Sequence, residues 1–515
     1  MRAFCVRRKR AAAVPGSLVG LPILATGLSV LVTGLSVLAT GLWAAPASAV
    51  KAELGGLYGL WYISQHNFFF GAKDENFGSD GDNYVVQVLR LNLSLADDND
   101  DIKVMTRVDL AQGWWGVDNA GDHSANYGQF REKSTFFDLH VDHAYLDFRL
   151  PHTEARIMVG RFNHRVGNRL VLDDDMDGIK LSVPLETAIG KFGLNLAFTI
   201  PSEGGPWSAV SEDYNTIDSL NDEGDNDDAR MVSVTVNSKF EEMGGVSVWY
   251  IFYDDASGGN GTPYITAGLG YARPRFTPQV NRLNIIGASA EYEVGALRLK
   301  GEVDYLTGND DISNTTYNGN ANDINDGCLD GYTAYVDANW SLSKGNNVGV
   351  KFGIGSGDSD PTGGRGNITK LKTQGFFYFT EVWEDSIMPD VAGITPQGIG
   401  APNTRGYREF ENTTAFQIYG NYAITDSVLL HGSYSYMMAT EDVHGWDADG
   451  PTAEVADDIG QEFDFVLAWK IYERLGVALR GGYFLVGDAA RLLVNGDTLN
   501  RRNAWEIKPT LLFRF

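Results

Sequence analysis

The chain has 515 residues, and its 41 Lys and Arg against 67 Asp and Glu give a formal net charge of −26 at pH 7. This acidity argues against a nucleic-acid partner and against a basic domain that binds membrane surfaces. Mean hydropathy is −0.19 although 43% of the residues are hydrophobic and 12% are aromatic. These values favour alternation of apolar and polar residues over apolar blocks.

The N-terminus predicts a secretory signal peptide. Five basic residues precede an uncharged run over 11–45: Arg2, Arg7, Arg8, Lys9 and Arg10. The segment 47–49 then provides the small side chains typical of a cleavage site. A transmembrane anchor is the alternative, because the apolar run is long and repeats one sequence at 26–31 and 33–38. We interpret residues 1–49 as a signal peptide and residues 50–515 as one mature domain.

Beyond residue 50, short segments that alternate apolar and polar residues recur at regular intervals and predict about eighteen β-strands. They lie near 51–63, 84–95, 102–112, 136–150, 155–162, 178–184, 191–200, 230–240, 246–253, 284–293, 296–306, 332–342, 347–355, 413–423, 427–437, 459–471, 475–486 and 502–515. No helical period is sustained over several turns. One large closed sheet over 50–515 explains a chain of this length without linkers.

The spacers between these strands alternate between short and long. The short ones carry turn-forming residues and lie at 97–100, 151–154, 241–245, 294–295, 343–346 and 425–426. The long polar ones lie near 64–83, 113–135, 163–177, 201–229, 254–283, 307–331, 356–412, 438–458 and 487–501. This parity predicts an all-β transmembrane antiparallel barrel of about 18 strands, with long extracellular loops and short periplasmic turns. A soluble β-sandwich or propeller is the alternative fold, but it does not require such parity.

Alternation also assigns two faces to each strand. In the second strand, Leu89, Leu91 and Leu93 alternate with Arg90 and Asn92. Charged residues recur on the second face of many strands, and in a packed apolar core each unpaired charge would cost on the order of several kcal/mol. We therefore expect the apolar face to contact lipid and the charged face to line a wet lumen, wide enough for a channel.

The charges expected in the lumen fall on two arcs of the wall. The predicted pore-lining basic residues are Arg90, Lys103, Arg107, Arg149, Arg156 and Lys180. The predicted pore-lining acidic residues are Glu291, Glu293, Glu302, Asp304 and Asp337. One interpretation is a solvated wall of mutual ion pairs. The other is a transverse field between a basic and an acidic wall, which orients polar solutes.

The spacer 163–177 is a candidate constriction loop. Its candidate residues are Arg165, Arg169, Asp173, Asp175 and Asp177. The three aspartates have the opening spacing of a calcium loop, but Pro184 stands where an EF-hand has Glu, so a local Arg/Asp network is favoured. The acidic spacer 201–229 predicts a surface loop. Ca²⁺ or Mg²⁺ could bridge it to lipopolysaccharide phosphates, although the sequence requires no metal or other cofactor.

Candidate catalytic or metal-binding groups are few. His140, Asp142 and His143 resemble a metal fragment, but alternation directs His143 to the opposite face and directs Asp142 toward lipid. Cys328 is the only cysteine after residue 49 and is interpreted as a free thiol in a loop. We therefore expect no enzyme.

Several short segments resemble known barrel families. Four are similar to outer-membrane porins, including the homotrimeric porins of sulfate-reducing bacteria: Ala144–Pro151, Val159–Phe162, Arg169–Asp175 and Gly178–Leu181. Three are more similar to the alginate-export family: Gly355–Pro361, Gly460–Trp469 and Gly481–Asp488. The final strand ends on Phe515 and resembles the C-terminal assembly signal of Gram-negative outer-membrane barrels.

The two resemblances imply different details. The porin resemblance implies a diffusion channel, a homotrimer and a third loop folded into the lumen. The alginate-export resemblance implies passage of polyuronate along an Arg- and Lys-lined lumen. The matching inward residues here are Arg90, Lys103, Arg107, Arg149 and Arg156.

Together these features predict a Gram-negative outer-membrane porin that forms a water-filled channel for passive diffusion of small hydrophilic or charged solutes. One alternative is a selective channel or exporter for acidic polysaccharide or sugar acids. Another is a structural or receptor barrel whose long loops, especially 356–412, bind a partner or plug the lumen. Expected partners are outer-membrane lipid and lipopolysaccharide, the barrel-assembly machinery, the solutes and further copies of the chain in a homotrimer.

Overall fold

The computed structural model describes residues 50–68, 70–71, 81–114, 140–188, 190–202, 229–240, 243–255, 280–310, 327–357, 379–383, 410, 412–447, 450–495 and 497–515. Within these residues the chain forms eighteen β-strands and one α-helix. The strands are β1 (Lys51–His66), β2 (Gly81–Ala96), β3 (Ile102–Trp114), β4 (His140–Arg149), β5 (Arg156–Arg165), β6 (Asp173–Thr187), β7 (Gly190–Ser202), β8 (Ala229–Phe240), β9 (Gly244–Asp255), β10 (Val280–Val294), β11 (Leu297–Asp310), β12 (Gly327–Ser343), β13 (Asn346–Gly355), β14 (Thr413–Ala423), β15 (Val428–Asp447), β16 (Gly450–Lys470), β17 (Leu475–Val486) and β18 (Ala504–Arg514). The helix is α1 (Asp488–Asn495).

The strands form one closed antiparallel barrel. Each strand pairs with its neighbours in the chain, and β1 also pairs with β18, where Leu60 lies opposite Leu511 and Ser64 opposite Ile507. Closure leaves no free sheet edge, which a spanning sheet requires because lipid cannot satisfy backbone N–H and C=O groups. The predicted all-β barrel of about eighteen strands is confirmed. The predicted signal peptide 1–49 lies outside the described residues and stays a prediction.

The alternation of short and long connections is also confirmed, with one exception. Short turns such as 97–101, 295–296 and 344–345 lie at the end of the barrel that holds both residue 50 and residue 515, which is the periplasmic end in bacterial barrels. The predicted loop 438–458 is wrong. β15 and β16 instead continue past the other strands as a hairpin and are separated only by 448–449, because Val443 and His444 still pair with Ala456 and Val455.

The predicted faces are confirmed where neighbouring side chains differ in exposure. On β11, Val303 is 56% exposed while Glu302 and Asp304 are each 2% exposed. Leu93 and Leu95 on β2 are likewise exposed. Since the buried side chains contact segments inside the barrel, the exposed apolar ones form the lipid surface. In the described part of the chain, no helix has the length and apolarity needed to cross a bilayer.

Outward tyrosines mark the loop end of this lipid surface. Tyr62, Tyr250 and Tyr305 are about as exposed as the lipid-facing aliphatic residues. Their hydroxyls donate to Asn83 (3.2 Å), Asn284 (2.7 Å) and Asp330 (2.6 Å). Each ring can therefore lie in the apolar layer while its hydroxyl meets a polar partner, as in the aromatic girdles of barrels.

A second apolar cluster lies inside the barrel, toward its loop end. It combines inward strand residues with side chains from the connections, among them Phe70, Leu172, Trp383 and Phe410. The third loop, residues 166–172, contributes side chains to this cluster. It is shorter than the expected spacer 163–177, because β5 and β6 extend further than predicted. Cys328 lies in β12 opposite Asn309, so its predicted loop position is wrong.

Candidate functional site

A cationic cluster surrounds Asp147 on the inner wall of β3–β6. Arg156 donates from Nε to Asp147 at 3.0 Å, and Lys103 lies directly opposite Asp147 in the β3–β4 register. On the other side, Met158 on β5 lies opposite Asp147, and Lys180 on β6 lies opposite Met158. Lys180 is therefore about two strand spacings from Asp147. We call Lys103, Asp147, Arg156 and Lys180 the Asp147 cluster. It contains three cations and one carboxylate.

Arg149 lies at the periplasmic mouth beside this cluster. Its guanidinium contacts Asp101 and, at 3.5 Å, Glu154. Arg156 also donates to the main-chain carbonyl of Asp100 at 3.2 Å. The predicted basic residue Arg149 therefore belongs to an ion pair with the acidic turn 97–101, and this contact holds the turn against the barrel rim.

A second group of charges lies further from the periplasmic end. Arg90 reaches Asp109 at 2.6 Å and Asp142 at 2.8 Å, and Arg107 reaches Asp142 at 2.7 Å. Arg107 also lies 3.5 Å from Asp175, which His143 contacts at 3.1 Å. We call Arg90, Arg107, Asp109, Asp142, His143 and Asp175 the Asp142 cluster. In this cluster two arginines lie against three carboxylates.

The prediction that Asp142 faces lipid is wrong. Arg107 lies opposite His143, but Val108 lies opposite Val141, so Asp142 is an extra residue on β4. Such a β-bulge interrupts the alternation of faces, and it brings both Asp142 and His143 into the same inner network. Alternation by itself cannot reveal a bulge, because it assigns faces on the assumption that the two strands contain no extra residue.

The acidic residues of the opposite arc lie in different surroundings. Arg298 contacts Glu291 and lies 3.1 Å from Glu293, while Lys300 lies 3.8 Å from Glu291. Asp337 accepts a hydrogen bond of 2.7 Å from Tyr419. These contacts are the ones expected if the charged side chains of this wall form ion pairs with each other.

Glu302 lies beneath the third loop, and Asp304 on the same strand is also buried instead of facing open lumen. The main-chain N–H of Asn168 donates to the Glu302 carboxylate, and Thr333 donates to Asp304 at 3.3 Å. Both carboxylates are buried, so the prediction that they line the pore surface is wrong. The contact of Glu302 with Asn168 shows that the third loop crosses from β5–β6 to the wall at β11.

The five predicted constriction residues do not form one network. Arg169 of the third loop pairs at 3.3 Å with Asp173, the first residue of β6, and Asn163 on β5 also donates to Asp173 at 2.9 Å. Arg165 lies opposite Asp173 in the β5–β6 register. Asp175 belongs to the Asp142 cluster, and Asp177 pairs with Arg161 at 3.0 Å. Among the described residues no group of three or more His, Cys, Asp or Glu side chains is placed to hold a metal ion.

A second inward segment comes from the seventh loop. Residues 379–383, which we call the strap, lie between β13 and β14 in the chain and are all buried. Gln417 on β14 donates to the carbonyl of Phe379 at 2.5 Å, and Trp383 stacks on Phe70 at a centroid distance of 6.0 Å. The sequence carries one signal for this segment, an aromatic run at 376–379 followed by Trp383 within a polar spacer.

The strap also carries a buried carboxylate. Glu381 contacts Arg480 on β17 and lies 3.2 Å from Lys508 on β18. Burial raises the pKa of Glu381, but the Lys508 ammonium and the Arg480 guanidinium outweigh burial and hold that pKa below its usual range. Lys508 is itself fully buried and contacts Glu506 as well. Glu381 is therefore a charged link between the strap and the wall.

Comparison with solved structures identifies the same architecture in other barrels. A BenF-like porin from Pseudomonas fluorescens Pf-5 matches with a TM-score of 0.51 and 10% identity, over 90% of this chain and 98% of that chain. The outer-membrane protein OpdK from Pseudomonas aeruginosa matches with a TM-score of 0.50 and 10% identity at the same coverage. OccK9 (OpdG) from Pseudomonas aeruginosa gives 0.50 and 12%, again at that coverage. At these identities the likeness concerns the fold. No curated protein matches the sequence.

The family comparison is more specific than the likeness in fold. Residues 214–504 match the family model described as alginate export, and the match covers more than half of the chain. The matched region contains β8–β17 and α1, whereas the Asp147 and Asp142 clusters lie on β2–β6. With its closed barrel of the outer-membrane porin type, the protein belongs to the alginate export family of outer-membrane channels.

Proposed function

We propose that this channel conducts small hydrophilic anions, which pass along the inner wall of β3–β6 beside the Asp147 cluster. The observation that carries the proposal is the charge ratio of that cluster, with three cations around one carboxylate. Within the described residues, Lys103 and Lys180 make no ion pair, so their ammonium groups are available to a passing anion. Fixed cations along a wet wall raise the local concentration of anions and lower that of cations.

The test is the reversal potential of single channels under a KCl gradient. The double variant Lys103→Gln and Lys180→Gln should lose anion preference, because it leaves Arg156 paired with Asp147. Lys344→Gln is the matched control, since Lys344 lies in the exposed turn between β12 and β13. A wild-type channel that prefers cations, or a double variant that behaves like the control, would rule out the proposed pathway.

A second candidate is passage of an acidic polysaccharide, and family membership favours it. The alginate export match covers β8–β17, and a polyuronate carries the same carboxylates that the Asp147 cluster would attract. Oligouronates of increasing length, added on one side of a bilayer, distinguish the two candidates. Brief current blocks that saturate at short lengths favour small anions, whereas residence times that grow steadily with length favour the polymer.

Membrane insertion and oligomeric state are also proposed. We infer that the chain is inserted by the barrel-assembly machinery and that copies associate as a homotrimer. Cross-linking of outer membranes tests the trimer, because a monomer would give no species of three times the chain mass. The acidic spacer 201–229 lies almost entirely outside the described residues, so Ca²⁺ or Mg²⁺ binding there stays a prediction.

A further inference from the structure

One carboxylate on the wall binds three consecutive backbone groups of the strap. Glu462 on β16 accepts hydrogen bonds from the main-chain N–H groups of Glu381 at 2.8 Å, Val382, and Trp383 at 2.9 Å. Three consecutive N–H groups thus converge on one side chain, which is fully buried. The three hydrogen bonds occupy both carboxyl oxygens, because Oε1 accepts from Glu381 and Val382 and Oε2 accepts from Trp383. The backbone of the strap is consequently attached to the wall through Glu462.

The wall is shaped to receive the strap. A Cβ atom at Gly482 would lie 2.7 Å from Val382 Cγ2, so a larger residue there would displace the strap. Phe379 packs edge-on against Phe410 at 5.3 Å, and Trp383 packs against Phe484 at 5.5 Å. The strap therefore fits the inner surface of β14–β18 along its whole described length.

The strap divides the inner wall into a covered arc and an open arc. On the covered arc, the inward side chains of Glu462, Glu506 and Lys508 have no exposure. On the open arc, Arg90 and Arg156 keep 30% and 34% of their side-chain surface exposed, although both are ion-paired. The strap thus keeps water from Glu462, Glu506 and Lys508, although Arg480 on the covered arc keeps 31% of its side-chain surface exposed. A hydrated solute is guided by the charged side chains that the strap does not cover.

We propose that Glu462 is a positioning residue that fixes the strap as a permanent partition of the lumen and thereby confines solutes to the open arc. The proposal rests on the proposed channel function. The charge selectivity of the solute route then depends on an anchor on β16, which lies far from the Asp147 and Asp142 clusters. Loss of the anchor should free the strap, wet the covered arc and open a second, less selective route.

The first experiment measures access to the covered arc and does not depend on transport. Ser435 is fully buried on β15 and accepts a hydrogen bond of 2.9 Å from Gln417 beside the strap. In a Cys328→Ser background, Ser435→Cys should react slowly with a water-soluble maleimide. Adding Glu462→Ala should accelerate labelling roughly tenfold or more, the direction expected when a buried site becomes wet. Equal rates with and without Glu462→Ala would overturn the proposal.

The second experiment measures single-channel conductance and reversal potential of Glu462→Ala. Conductance should rise roughly twofold with weaker ion selectivity, since a second aqueous route opens. Glu473→Ala, in the exposed turn 471–474, is the control for loss of a carboxylate. Wild-type conductance in a folded Glu462→Ala barrel contradicts the partition. If the wild-type protein conducts nothing but labelling still accelerates, the channel function fails while the anchor stands.

A conservative variant keeps the proposal testable if Glu462→Ala does not fold. Glu462→Gln keeps the shape and one acceptor oxygen but brings an NH₂ group toward the three N–H donors. Its labelling rate should lie between those of the wild type and Glu462→Ala. If Glu462→Ala does not reach the outer membrane, the Gln variant decides, and a wild-type labelling rate in that variant overturns the proposal.

Discussion

Asp142 lies 2.7 Å from Arg107 because a bulge in β4 turns its carboxylate into the lumen. The same carboxylate lies 2.8 Å from Arg90. Two guanidinium groups that appear as free cations in the sequence are therefore neutralised by a residue that alternation assigns to lipid. The excess positive charge of this wall lies instead at the Asp147 cluster.

Asp142→Asn should make the channel more anion-selective, because it removes one of three carboxylates around Arg90 and Arg107. Arg107→Ser should shift the reversal potential the opposite way, since it leaves Asp142 and Asp175 with less compensation. Both shifts should shrink between 0.1 and 1 M salt, where the screening length falls from about 10 Å to about 3 Å. Shifts of the same sign in both variants would show that the cluster lies away from the solute path.

Leu91→Arg should destabilise the barrel by about 2–4 kcal/mol, the cost of an Arg facing lipid near mid-membrane. Leu91 lies on the lipid-facing side of β2, well inside the strand. Asn92→Arg places the same side chain on the inner face and should be tolerated. Unfolding by urea in lipid vesicles measures both, and equal losses of stability would mean that the assigned face of β2 is wrong.

Lys508→Met should destabilise the barrel by about 3–5 kcal/mol, because it removes a buried cation that two buried carboxylates contact. Lys508 lies 3.2 Å from Glu381 and also contacts Glu506, and all three side chains are buried. Lys470→Met is the control, since Lys470 is exposed at the end of β16. Comparison of the unfolding free energies of the two variants tests the buried pair, and similar small losses would contradict it.

Acidification should weaken the strap through Glu381. The folded-state pKa of this carboxyl is lowered by Lys508 and Arg480 against the effect of burial. The resulting stabilisation is therefore complete above the ordinary carboxyl pKa of about 4.3 and is lost as pH falls through the lowered value. The difference in unfolding free energy between wild type and Glu381→Gln should be constant from neutral pH down to that range and then decrease. A difference that grows on acidification would reverse the assigned direction.

The sequence alone determined the barrel, the number of its strands and the two faces of most of them. These features follow from a local rule. Successive side chains of each strand must face lipid and water in turn, and the chain must connect neighbouring strands through a short turn or a long loop. Leu93 and Val303 face lipid as alternation predicts. The same rule predicts inward cations, and in the structure Lys103 and Arg156 flank Asp147.

Only the tertiary structure decided which charges are available and where the lumen is closed. Pairing depends on register, and a single bulge at Asp142 changed the partners of two arginines. The attachment of the strap to Glu462 joins residues about 80 positions apart in the chain, and the contact of Asn168 with Glu302 joins residues 134 apart. No local period encodes such contacts, because they arise when closure of the barrel brings distant strands around a shared interior.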